Sequence, residues 1–79
     1  MSALRNELLR EIFQTNRRSW HLENDANGDA DFFFSRTVAP LRQLRDEGVI
    51  ADLFEAQLYS GGRSCIGRVV IRGPVKLET

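Results

Sequence analysis

The sequence predicts a small α+β domain: two or three helices, then a C-terminal antiparallel β-hairpin in a small sheet. Three observations lead there. Apolar residues recur at helical spacing over residues 3–14 and again over 37–47. Two later runs, 53–59 and 65–72, alternate instead with the period of a strand. Between those runs stands Ser60-Gly61-Gly62-Arg63, a four-residue loop whose glycines have free φ.

The first helix spans residues 3–14. Leu4, Leu8 and Ile12 lie four apart, Leu9 and Phe13 widen the stripe, and Arg5, Glu7, Arg10 and Glu11 take the wet side. Ser2 is the expected N-cap and Asn16 the left-handed stop. Trp20 to Leu22 can form a short strand. Asp25-Ala26-Asn27-Gly28-Asp29 is turn chemistry, because Asn-Gly reaches positive φ at little cost. The following Phe32-Phe33-Phe34 reads two ways. As a helix, Asp29 caps it and Asp31 lies in its first turn, where negative charge is favoured. As a strand, it pairs back onto Trp20–Leu22. The helix is the preferred reading.

Over residues 37–47, Val38, Leu41 and Leu44 form an apolar stripe, and Gly48 ends the helix. Pro40 belongs in its first turn, where a missing N–H costs nothing, and marks a break from any preceding helix. In the first strand Leu53, Glu55, Gln57 and Tyr59 oppose Phe54, Ala56 and Leu58. In the second, Cys65, Gly67, Val69 and Ile71 oppose Ile66, Arg68, Val70 and Arg72. Gly73-Pro74 ends that strand, and residues 74–79 form a tail. One domain accounts for all of residues 1–79.

Composition sets bounds on function. The chain has 79 residues, 42% hydrophobic and 28% charged, with eleven basic and eleven acidic side chains and zero net charge. That balance argues against a surface uniformly attractive to polyanions. The charge is unevenly spread. Glu23, Asp25, Asp29 and Asp31 make the central loop acidic, while Arg63, Arg68, Arg72 and Lys76 make the hairpin end basic. Cys65 is the sole cysteine, so no internal disulfide forms. A lone thiol without a secretory leader points to the cytoplasm. No apolar run approaches the ~20 residues of a membrane helix, so no membrane role is expected.

The order helix, short extended piece, helix, helix, strand, Gly-rich turn, strand resembles the winged helix-turn-helix fold. The likeness is carried by Val38-Ala39-Pro40-Leu41-Arg42-Gln43-Leu44-Arg45-Asp46-Glu47-Gly48-Val49-Ile50 and the hairpin after it. It implies a DNA reader whose 36–47 helix enters the major groove while the 60–63 hairpin tip touches backbone. On that reading Arg36, Arg42, Gln43, Arg63 and Arg68 are the DNA-binding residues. The outward helix face of Arg36, Ala39, Gln43, Asp46 and Glu47 is basic only at its start.

The second functional expectation is a non-enzymatic protein-interaction module that self-associates as a homodimer. Three adjacent phenylalanines cannot all face one core. Phe32, Phe33 and Trp20 are the expected contact residues. No catalytic, metal or cofactor site and no small-molecule substrate is expected. The loop from Glu23 to Phe34 places Asp25, Asn27 and Gly28 as an EF-hand would, but Phe34 stands where calcium needs a bidentate Glu. His21 reads as a surface or packing residue and Cys65 as a structural thiol. Gly61-Gly62 lacks the Lys-Ser/Thr of a phosphate loop.

Overall fold

The computed structural model describes residues 3–76. Helix α1 (Ala3–Gln14) buries Leu8 and Ile12, the inner members of its predicted stripe. Asn16 ends it at φ 57° as expected; the Ser2 cap lies outside the described residues. Strand β1 (Ser19–His21) is one residue earlier than the predicted extended piece, because Leu22 already opens a single helical turn, α2 (Leu22–Ala26). Asn27 and Gly28 take positive φ, as the turn chemistry requires.

Phe32, Phe33 and Phe34 are helical. Asp29 Oδ1 accepts the Phe32 N–H at 3.1 Å and starts α3 (Ala30–Phe33). The predicted break before Pro40 does not occur. A π-helical turn (Phe34–Val38) joins α3 to α4 (Ala39–Asp46), with Phe33, Phe34, Val38 and Ala39 all right-handed helical. The Ala39 N–H donates to the Phe34 carbonyl, five residues back. Pro40 sits in the first turn of α4, and the wider turn before it lets one helical rod pass a residue that cannot donate.

Strands β2 (Ile50–Ser60) and β3 (Arg63–Val75) are longer than the alternation suggested. Ser60 pairs with Arg63, so the turn is the two residues Gly61 and Gly62, both at positive φ, rather than a four-residue loop. Gly73-Pro74 does not end β3 either: Val75 pairs with Ile50, and the Lys76 N–H donates to the Val49 carbonyl at 2.8 Å. Residues 74–76 are therefore tied to the sheet, while 77–79 lie outside the described residues. Gly67 is an extra residue on β3, between the pairs Ala56–Arg68 and Gln57–Ile66. This bulge breaks the alternation, so the predicted face of Cys65, Gly67, Val69 and Ile71 is not continuous.

The sheet is antiparallel in the order β1-β3-β2. Trp20, Leu53, Val69 and Ile71 point inward and meet Phe33, Val38, Leu41 and Leu44 from the helical rod with Leu8 and Ile12 from α1. The molecule measures 44 × 23 × 21 Å. Thirteen residues of strand span about 43 Å, so β3 sets the long axis. The distal half of the hairpin, 57–64, lies almost wholly exposed.

Candidate interaction surface

The phenylalanine triplet sorts itself by helical geometry. At roughly 100° per residue, three neighbours cover more than half the circumference. Phe33 points into the core at 1% exposure, while Phe32 and Phe34 emerge on opposite flanks at 44% and 42%. Each exposed ring carries a guanidinium. Arg36 lies 5.2 Å from the Phe32 centroid and Arg42 lies 5.3 Å from that of Phe34. Phe33 and Trp20, the latter 2% exposed, are thus core residues and not the surface contacts expected of them. A single chain already covers them.

On the α1 flank, Phe32 and Arg36 border a polar cleft of about 200 Å³ lined by Glu7, Glu11, Arg17 and Asp25. Its polar groups serve one another. The Trp20 Nε1–H donates to Glu11 Oε2 at 3.1 Å, and Arg17 pairs with Asp25. Asp25 Oδ2 also accepts the His21 backbone N–H at 2.7 Å. Burial pushes the Asp25 carboxyl up, but the Arg17 guanidinium and the His21 N–H together hold it below its usual value. The network fixes β1 between α1 and α2.

The other flank is less self-sufficient. Ala30, Phe34, Cys65 and Ile66 line a cleft of about 340 Å³ between the start of α3 and the hairpin, with Asp31 and Arg42 at its rim. It continues past Leu58, Ser60, Arg63 and Ser64. Leu58 is also one wall of a largely apolar cleft formed with Leu22, Ala56 and Gly67. A Cβ on Gly67 would lie 3.1 Å from the Leu58 Cβ, so this glycine admits the Leu58 side chain. Leu58 is 46% exposed, Tyr59 73% and Phe54 41%, all three on β2.

The five residues expected to touch DNA do not form one surface. Arg36 faces the α1 flank, and Gln43 is held at 3.0 Å by Glu47. Arg42 makes a bidentate pair with Glu55, so its charge is locally offset. That hydrogen-bonded guanidinium also holds the Glu55 carboxyl below its usual value, against the effect of partial burial. Arg63 stands at the hairpin turn. Arg68 lies across from His21 and Ala56, on the outer face of the sheet, opposite the buried Val69, where it lines the cleft beside Leu22. On that same outer face Arg72 stacks over Phe54 at 4.9 Å, a pair the sequence analysis did not single out. The signal was present: Phe54 stands out of phase with Leu53, so whichever of them is buried puts the other outside.

Among the described residues, no three His, Cys, Asp or Glu side chains are placed to hold a metal ion, and no helix is long and apolar enough to cross a membrane. Comparison with protein-family profiles, curated proteins and solved structures found no match.

Proposed function

We propose that this chain is a small interaction module, without enzymatic activity, that associates with a second copy of itself. The observation that carries the reading is the set of large apolar side chains left uncovered on β2. Phe54, Leu58 and Tyr59 are all more than 40% exposed, and Leu58 lines two clefts that a single chain leaves open. Uncovered apolar surface of this kind marks contact sites. The paired charges of the helices support the same reading. Arg5 with Glu47, Arg17 with Asp25 and Arg42 with Glu55 satisfy one another and leave little net field on that side. Light scattering across a concentration series tests it: the expected result is a mass that rises from one chain to two. A single-chain mass at every concentration overturns it.

A second reading, a winged-helix DNA-binding regulator, is favoured by one specific observation. A short strand after the first helix pairs with the last strand, giving the order β1-β3-β2 around helices α2 to α4. Arg63, Arg68 and Arg72 form no ion pair among the described residues and supply the cations such a reading needs. Labelled duplex DNA titrated at low and moderate salt decides it. Binding that weakens steeply with salt supports phosphate contact; no binding at low salt removes the reading.

A further inference from the structure

We propose that the open edge of β2 is the dimer seam: it pairs antiparallel with β2 of a second copy about a two-fold axis and joins two three-stranded sheets into one of six. This rests on the self-association proposed above and assigns it a surface.

The two edges of the sheet are built differently. On the β1 side, β3 is interrupted. Strand β1 covers only Arg68 to Val70, and the Arg18 carbonyl takes the Ile71 N–H at 2.7 Å. Both register shifts put their extra residue on β3, at Gly67 and at Gly73-Pro74, and Pro74 has no N–H to offer. Bulges and proline are how proteins blunt an edge. The β2 edge carries neither device. Its eleven residues, Ile50 to Ser60, include no proline, no lysine and no arginine, and none has positive φ. Among the described residues no strand pairs with it on that side. An inward charge on an edge strand also discourages pairing. The one such charge here, Glu55, is neutralised by Arg42.

The strand complements itself in one alignment. Placing Ala56 opposite Ala56 of the second copy sets Phe54 against Leu58 and Asp52 against Ser60 on the outer face. On the inner face it sets Leu53 against Tyr59 and Glu55 against Gln57. Phe54 and Leu58, each more than 40% exposed in the single chain, then cover one another, and no carboxylate meets a carboxylate. The neighbouring alignment centred on Glu55 puts two carboxylates directly opposite, which is destabilising. A strand whose apolar residues stand symmetrically about Ala56 fits a second copy of itself better than an unrelated extended segment.

Cysteine cross-linking reads the alignment directly. Directly opposed residues of an antiparallel pair have Cα atoms about 4.5–5.5 Å apart, within disulfide reach. In a Cys65→Ser background, Ala56→Cys is expected to convert most of the chain to covalent dimer under mild oxidation. Phe54→Cys and Leu58→Cys are each expected to stay monomeric on the denaturing gel and to cross-link only when mixed. Hydrogen exchange on the unaltered chain gives an independent reading: amides of β2 gain protection as concentration rises through the dimer transition. A dimer by light scattering with no Ala56→Cys cross-link and no β2 protection overturns the seam and leaves self-association standing. A strictly single-chain mass overturns both.

Discussion

Arg42 grips Glu55 with two nitrogens: Nε lies 2.7 Å from Oε2, and a terminal nitrogen lies 2.5 Å from Oε1. The pair ties α4 to β2 across thirteen residues of sequence, and the same guanidinium lies over Phe34. One side chain therefore positions the helical rod, the exposed phenylalanine and the edge strand. A bidentate pair at partial exposure contributes about 1 kcal/mol or less. Glu55→Gln is expected to lower stability by that amount at neutral pH, measured by urea denaturation. In acid the difference is expected to shrink, because Glu55 loses its own charge as pH falls through its lowered pKa.

Acid sensitivity follows from paired carboxylates, of which Asp25 and Glu55 are partly buried and Glu47, beside Arg5, is held low at the surface. Asp25 and Glu55 both titrate below their ordinary values of 3.8 and 4.5 in the folded chain. A depressed carboxyl stabilises the fold at pH values above its unfolded pKa, and that contribution is lost as pH falls through the folded one. Thermal unfolding midpoints are expected to stay level from pH 7 to about pH 5 and to fall below it. Arg17→Ala is expected to flatten the decline by removing the Asp25 partner. A midpoint that holds unchanged down to pH 2 contradicts the account.

Within the phenylalanine triplet the effects should diverge. Phe33→Ala removes a fully buried ring and is expected to cost about 3–5 kcal/mol, a large share of the stability of a domain of this size. Phe32→Ala and Phe34→Ala remove half-exposed rings and should cost about 1 kcal/mol or less. Thermal melts of the three variants followed by circular dichroism separate the outcomes.

Asp29→Ala tests the start of the helical rod. Its carboxylate accepts the Phe32 N–H, and losing a cap of this kind costs about 1 kcal/mol. Asp29→Asn is expected to restore most of the loss, since an amide oxygen also caps. Equal destabilisation by both substitutions, read by thermal melts, would assign the effect to charge instead.

Periodicity in the sequence determined the buried stripes: Leu8 with Ile12 on α1, and Val38, Leu41 and Leu44 on the helical rod. These are local properties, set by how often a helix returns to one face. The turn at Asn27-Gly28 and the reversal at Gly61-Gly62 were equally local, because positive φ is a property of the residue. Other features required partners distant in sequence. Three adjacent phenylalanines carry no mark of which one the core will take; Phe33 joins the buried cluster of Trp20, Val38 and Leu41 only because the helical rod packs that side onto the sheet. Pro40 signals a helix break by its own chemistry, yet packing of the whole rod against α1 and the sheet favours a π-helical turn instead. Arg42 reads as a free cation along the helix and proves to be half of an ion pair, since its partner Glu55 arrives only when β2 folds back beneath it. The order β1-β3-β2, and with it the open edge of β2, is likewise decided by tertiary structure, because strand neighbours are chosen by which faces must be buried together.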